Sequence, residues 1–330
     1  MGISDDSPDR ALQADTDGSP SSDRRIDPVL VAQLLRGGGQ GEGPFVHIET
    51  HISHVFLAGA RAFKLKKAVR LPFLDYSTLE ARRRMALREL LINRLFAPEL
   101  YLGLMPLVRE SRCGTERGAV PFTLGPLLMP QTIAGGQDLE ALLSDPEALD
   151  ALLGEWAGDN QVCEWLVVMR RFADQDRFDR LASAGGLQAA DVSGLADALA
   201  RYHQRSAIRR DLGGPEVLAR GFADVVATLE SLPDSPWSAS ELAKFSEGVM
   251  SRIEQAAPRL DARRRHGRVR RCHGDLHLAN VCRFEGHVRA FDAIEFSDRI
   301  GVIDIAHDAA FAVMDLIAHH HPRAASHLFN

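Results

Sequence analysis

The chain has few cysteines. Cys113, Cys163, Cys272 and Cys282 are widely spaced in 330 residues and form no close pair, which suggests neither a zinc knuckle nor a disulfide framework, and all four read as reduced thiols. No stretch approaches the roughly 20 apolar residues of a membrane span, and the N-terminus carries no apolar signal core, so a cytoplasmic location is expected. An excess of positive charge is also missing: 39 Lys+Arg against 45 Asp+Glu give a net charge of -6, which offers no broad surface for nucleic acid or anionic lipid. Gly-x-x-x-x-Gly-Lys-Ser/Thr occurs nowhere, so there is no P-loop. No internal repeat is found. What remains is a composition 45% hydrophobic and 25% charged, enough to build one large domain or two lobes sharing a cleft.

Residues to about Arg25 are rich in Asp, Ser, Gly and Pro, a composition that cannot offset ordering entropy, and 1–27 is read as a disordered tail. A short helical stretch (28–36) and a glycine-rich loop (37–43) lead to three strand-like runs at 45–48, 55–57 and 62–66, with Gly59 turning between the last two. Ser77 with Glu80 has capping-box spacing, and Leu79, Leu87, Leu90, Leu91 and Leu95 follow at helical spacing until Pro98. Apolar runs at 102–108 and 165–169 read as buried strands, and between them 121–160 reads as an insertion with one helix over 139–156. From Leu187 onward the periodicity is helical, over 192–203, 217–229, 242–260 and from Ile303 to about His320. One hairpin interrupts it, 281–284 with 288–291 around Glu285-Gly286. The expectation is an α+β chain of two lobes: residues 28–172, an antiparallel sheet with one long helix, and residues 173–330, mainly helical.

The segment that carries chemistry is Cys272-His273-Gly274-Asp275-Leu276-His277-Leu278-Ala279-Asn280, in which His-x-Asp is followed by Asn five residues after the Asp. Phosphoryl transfer needs a carboxylate to orient the attacking hydroxyl and accept its proton, and an amide oxygen nearby to hold magnesium. Asp275 and Asn280 fit those two needs, and a second metal-holding carboxylate, Asp292, ends the second hairpin strand, where the hairpin returns it beside Asn280. His273 is expected to bond backbone carbonyls and hold the loop in shape. Such chemistry also needs a strand lysine paired to a helix glutamate to draw the α- and β-phosphates into register. Lys64 and Lys66 lie on one face of the third strand and Glu89 in the following helix; spacing alone does not choose between the lysines.

These residues resemble the aminoglycoside phosphotransferase-like branch of the kinase fold. The resemblance rests on Glu49-Thr50-His51-Ile52-Ser53, Phe63-Lys64-Leu65-Lys66-Lys67, Ala97-Pro98-Glu99-Leu100-Tyr101-Leu102, Met169-Arg170-Arg171-Phe172, His273-Gly274-Asp275-Leu276-His277 and Phe291-Asp292-Ala293-Ile294-Glu295-Phe296. It is strongest to bacterial proteins in which such a domain is fused to a C-terminal P-loop ATP-binding domain, the part absent here. The resemblance implies ATP and Mg2+ as cofactors and a small-molecule hydroxyl as acceptor. It favours Lys64 as the phosphate-facing lysine, puts Thr50 and Ser53 in the loop over the phosphates, brings Met169 to Phe172 near adenine, and makes Asp304 the structural carboxylate that steadies the catalytic loop. Residues 28–172 would then be the nucleotide-binding lobe and 173–330 the catalytic one. The fold hosts kinases for many hydroxyl acceptors and does not name one.

Two rival readings are weaker. Gly274-Asp275-Leu276-His277 also resembles the opening of binuclear metallophosphatases, but the second Gly-Asp block and the Gly-Asn-His segment such a site needs are missing. His319-His320-His321 are consecutive and cannot converge on one ion from a helix. The other rival is a nucleotide-binding pseudokinase or regulatory module; intact Asp275, Asn280 and Asp292 speak against it.

Overall fold

The computed structural model describes residues 26–37, 44–71, 73–109, 122–130, 137–159, 161–232 and 235–330. The tail read over its first 25 residues, all but the first residue of the glycine-rich loop, Cys113 and parts of 121–160 lie outside the described residues. Helix α1 (Pro28–Gly37) precedes strands β1 (Val46–Glu49), β2 (Ser53–Ala58) and β3 (Arg61–Lys66) and a ribbon of β4 (Arg70–Leu71) with β5 (Leu74–Asp75). Helix α2 (Leu79–Phe96) follows, then β6 (Tyr101–Arg109), β7 (Phe122–Leu124), α3 (Gln137–Ser144), α4 (Pro146–Ala151) and β8 (Val162–Arg170). Six of these strands form an antiparallel sheet in the order β1-β2-β3-β8-β6-β7.

Strand periodicity assigns the two faces of that sheet. Phe63 and Leu65 of β3 meet Val31, Ala32 and Leu35 of α1 in one core, with Phe56, Leu107 and Leu166. The alternate residues, Lys64 and Lys66, turn to the opposite face, where both meet Glu89 of α2. On that face Leu87, Leu90, Leu91, Trp165 and Val167 open a second core that continues into the helical half.

Two local expectations change. The cap of α2 is Thr78, whose hydroxyl accepts from the Ala81 N–H, while Ser77 Oγ donates to Asp75 instead. The single helix expected over 139–156 is three pieces, because Asp145 caps a new helix that has Pro at its first position, and Gly154 at φ 56 opens a short 3-10 turn. Nor does that segment stand apart from the sheet: β7 is its edge strand, and Leu128 bridges to Leu104.

The second half contains α5 (Phe178–Ser183), α6 (Ala189–Arg205), α7 (Pro215–Ser231), α8 (Ala239–Arg265), β9 (Val269–Arg271), the hairpin β10 (Val281–Phe284) and β11 (His287–Ala290), α9 (Asp298–Gly301), β12 (Val302–Asp304), α10 (Ile305–Ala318) and α11 (Pro322–Phe329). The hairpin turn is Glu285-Gly286, both left-handed at φ 48 and 78, the two-residue turn whose twist suits antiparallel strands. The last long helix begins at Ile305 rather than Ile303, because Val302–Asp304 pair with Val269–Arg271 as a small antiparallel ribbon. The whole is an α+β, two-lobed, kinase-like fold. Among the described residues no helix is long and apolar enough to cross a membrane.

Candidate active site

Strand β9 runs directly into the loop 272–280, which closes in a 3-10 turn over Leu278–Asn280 before β10. Gly274 is required there: its φ is 81, and a Cβ would sit 3.1 Å from the Ile300 carbonyl oxygen. The fully buried His273 accepts from the Asp275 N–H through Nδ1 at 3.3 Å and donates from Nε2 to the Phe291 carbonyl at 2.9 Å. That pattern uses the neutral ring, and burial holds its pKa below the usual histidine value. His273 thus ties the loop to the hairpin by one carbonyl and one N–H, where carbonyls alone were expected.

The carboxylate that steadies this loop is Asp308, not Asp304. Asp308 accepts from the backbone N–H groups of His273 and Gly274 at 3.2 and 3.0 Å, and His203 Nε2 holds it at 2.9 Å. Burial works to raise its pKa, but the His203 bond and the surrounding donors outweigh that and leave it low. Asp304 instead caps α10 through the Ala306 N–H and pairs with Arg263. An Asp immediately before a helical run is a cap signal, and Asp308 lies one turn into that helix. Cys272 Sγ lies with His203 and Asp308, the donor atoms within 4.8 Å of one another. Burial pushes its thiol pKa up, so it stays protonated and donates to the Ile303 carbonyl rather than offering a thiolate.

Asp275 is 41% exposed at the surface of the loop. The Asn280 amide donates to its carbonyl and to its Oδ2 at 3.0 and 3.2 Å, which leaves the amide oxygen free of those bonds. His277 Nε2 stands 3.4 Å from the same carboxylate, and that contact raises the His277 pKa. Along the hairpin the Phe291 N–H bonds the Asn280 carbonyl at 2.9 Å, bringing Asp292 back beside Asn280. Asp292 holds a left-handed φ of 63, with its N–H on the Tyr101 hydroxyl at 3.0 Å. That strained backbone turns the side chain into the cleft, where it is 46% exposed.

Lys64 Nζ lies 2.9 Å from Glu89 Oε1 and 2.5 Å from Asp292 Oδ1. Lys66 Nζ lies 2.7 Å from Glu89 Oε2 and 2.5 Å from Glu295 Oε1, itself bonded by the Tyr76 hydroxyl. Both lysines therefore share one glutamate, and only Lys64 reaches the hairpin carboxylate. Burial opposes the charge on Lys64, but Asp292 and Glu89 outweigh it and raise its pKa; burial likewise opposes ionisation of Asp292, and Lys64 outweighs it and lowers it. Two ammonium groups against three carboxylates leave one negative charge facing the cleft. Asn93 locks the segment after Asp292 to α2 by bonding the Ala293 N–H at 2.8 Å and its carbonyl at 3.3 Å.

Three expected site residues are not joined to this cluster by side-chain bonds. Thr50 Oγ1 closes its own turn with the Ser53 N–H and carbonyl, both at 3.0 Å. Ser53 is fully buried, pairs with Lys66 across β2 and β3, and its hydroxyl has no partner among the described residues. Met169 lies half-buried near the end of β8, opposite Ala62 and Tyr101. The histidine triplet does not converge: His319 caps α10 near Asp315, His320 sits at φ 63, and His321 donates to the Ala182 carbonyl. Sequence reasoning missed Asp308, His203, Tyr101 and Glu295, although Tyr101 and Glu295 lay within stretches already singled out.

Residues 124–328 match the family model described as the phosphotransferase enzyme family. Uncharacterised proteins of Mycobacterium tuberculosis and Mycobacterium bovis are 28% identical over 277 residues, 83% of this chain and 46% of theirs. The chain thus spans less than half the length of the curated relatives it matches. Among solved structures, a choline/ethanolamine kinase family protein from Mesorhizobium loti has a TM-score of 0.45 at 12% identity, covering 91% of this chain and 73% of that one. An aminoglycoside-3'-phosphotransferase of type VIII has a TM-score of 0.42 at 14% identity, covering 90% of this chain and 87% of that one.

Proposed function

The chain belongs to the phosphotransferase enzyme family, and from that premise we propose that it transfers the γ-phosphate of ATP to a hydroxyl of a small molecule. The observation that carries this reading is the Lys64 ammonium, which joins Glu89, 25 residues away, to Asp292, 228 residues away. A strand lysine held between a helix carboxylate and a hairpin carboxylate is the geometry that receives nucleotide phosphates opposite a metal.

The donor set fits magnesium. Asp292 spends one oxygen on Lys64, Asn280 keeps its amide oxygen free of the Asp275 bonds, and the buried cluster carries a surplus negative charge. Held by Asn280 and Asp292, the ion would neutralise charge gathering on the β- and γ-phosphate oxygens. The chain's own groups do the rest. Lys64 fixes the phosphates, with Glu89 keeping it extended. Asp275, on the exposed rim of the loop, orients the acceptor hydroxyl and takes its proton at a carboxylate oxygen, while His273 and Asp308 keep that carboxylate in place. Thr50 and Ser53, at the β1–β2 turn, and Met169, near the end of β8, belong to the same proposal as groups around the phosphates and the base. So does a P-loop ATP-binding domain outside this chain, for which the greater length of the relatives leaves room.

The test is ADP release with Mg-ATP against a panel of sugars, amino alcohols and aminoglycosides, with Asp275→Asn as control. Turnover on one acceptor that vanishes in the control is expected. Failure of the folded chain to bind Mg-ATP at millimolar concentration would sink the reading, and binding without turnover on any acceptor would favour the regulatory module.

A further inference from the structure

The C-terminal end of α2, the start of α3 and the last two turns of α6 enclose a cavity of about 210 Å³ that the phosphotransfer reading does not use. Leu95, Phe96, Leu139 and Leu199 form apolar walls. Two of its lining residues carry polar atoms with no hydrogen-bond partner among the described residues: Tyr202 OH and Arg271 Nη1, on residues 5% and 2% exposed, Arg271 being paired through its other nitrogens. A buried donor left unpaired is costly, more so when charged, and native interiors rarely leave two together. Arg201 and Arg205 also line the cavity, exposed, and neither guanidinium has a partner among the described residues. The other charged lining groups are spent: Glu140 on Arg271 and Arg209, and Arg289 on Glu99.

We propose that this cavity is a binding site for a small organic carboxylate with a short apolar body, and that its occupancy stiffens the catalytic loop. A carboxylate offers acceptors to both orphan donors and charge to the two free arginines; the body takes the leucine and phenylalanine walls. The connection to the loop is short. Phe96 stacks on Tyr202 with ring centroids 3.6 Å apart and meets His273 edge-on at 5.3 Å. Tyr202 precedes His203, the partner of Asp308, and Arg271 lies two residues before His273. The site stands whether or not the chain transfers phosphate.

Calorimetry with sodium hexanoate on the full chain tests it, with 1-hexanol and inorganic phosphate as probes of body and charge alone. Saturable hexanoate binding is expected, weaker by about tenfold or more in the Arg201→Ala/Arg205→Ala double variant. It is expected to vanish in Ala198→Trp, which adds a large ring to the cavity lining, and hydrogen exchange over 273–280 slows when hexanoate is bound. Both arginines are exposed, so the double variant keeps its fold even if Ala198→Trp does not. Absence of hexanoate binding by the folded parent would leave a water-filled cavity only; equal binding of 1-hexanol would make it an apolar void. Either result, full binding by the double variant, or unchanged exchange in the loop overturns the proposal.

Discussion

Two carboxylates in one cleft have different tasks if the proposed roles hold, and single substitutions separate them. Asp275→Asn keeps the amide near Asn280 but removes the proton acceptor, so turnover falls on the order of 10²-fold or more while Mg-ATP affinity is nearly unchanged. Asp292→Asn strips the charge that faces Lys64 and the metal, so nucleotide affinity falls, and falls more with magnesium than without. Affinity with and without magnesium for both variants checks the pair; full turnover in the first, or parental Mg-ATP binding in the second, overturns the assignment. The lysines divide in the same way. Lys66 is 2% exposed among Glu89, Glu295 and Tyr76, so Lys66→Met strands buried carboxylate charge and destabilises the fold by roughly 3–5 kcal/mol. Lys64→Met leaves Asp292 in a half-exposed cleft, so its larger effect is on nucleotide affinity; denaturant midpoints set beside ATP titrations distinguish them. Parity of the strand put both lysines on one face, and only the return path of the hairpin, a contact across 228 residues, separates them. Asp308 was harder to read for the same reason: its partners come from α6 and the loop after β9, and no local spacing marks them.

At the scale of elements, what was legible was what short-range chemistry determines. Five of the sheet's six strands, the long α2 and the hairpin with its Glu285-Gly286 turn follow from alternation, helical spacing and a glycine at a left-handed position, whereas β7 lay inside the stretch read as an insertion. The cap of α2 went to Thr78 because Ser77 is held by Asp75, and β12 was hidden inside a helical run because its pairing partner, β9, is 33 residues earlier at the Val302 and Val269 starts of the two strands. Glu285 occupies its left-handed position at a conformational cost, so Glu285→Asn is expected to raise Tm slightly and leave Mg-ATP binding unchanged; a fall in Tm would mean the Arg170 pair outweighs the backbone. The loop clamp makes a pH prediction. The folded-state pKa of Asp308 lies below its unfolded value of about 3.9, so its stabilisation is present above that value and lost as pH falls through the folded one. Asp308→Asn should lower Tm at neutral pH and flatten the fall of Tm below about pH 4. It should also lower turnover while sparing Mg-ATP affinity, since its partners are His203 and the backbone of the loop rather than the groups proposed to hold nucleotide. A melting curve with the parent's full acid dependence counts against the clamp.

For the molecule as a whole, the question is what makes two lobes unfold as one body. A chain of ion pairs crosses between them. Arg88 of α2 bonds the Glu295 carbonyl and Asp298; Asp298 also holds Arg271 of β9; and Glu140 of α3 joins Arg271 to Arg209 beyond α6. Glu140 therefore comes from the segment between β7 and β8 of the sheet, while both of its partners belong to the helical half. Its oxygens lie 2.5 and 2.9 Å from Arg271, whose side chain is 2% exposed, so losing that carboxylate leaves an arginine buried without its main counter-charge. Glu140→Gln keeps the shape and one acceptor while removing the charge, and should cost about 3 kcal/mol or more. Because the loss falls on the junction rather than inside either core, its character should differ from that of Lys66→Met. The parent is expected to melt in a single transition and Lys66→Met in a single transition at lower temperature, whereas Glu140→Gln should broaden or split the transition as the halves part. If Mg-ATP is held by Lys64 and Asp292, as proposed, and so binds the joined lobes better than the parted ones, then at saturating nucleotide the variant should regain much of a single transition by linkage. Calorimetric scans with and without Mg-ATP measure this directly. A Glu140→Gln chain that melts in one sharp step without nucleotide would place the coupling of the lobes elsewhere, in the Asn93 lock on Ala293 and the Lys66–Glu295 pair.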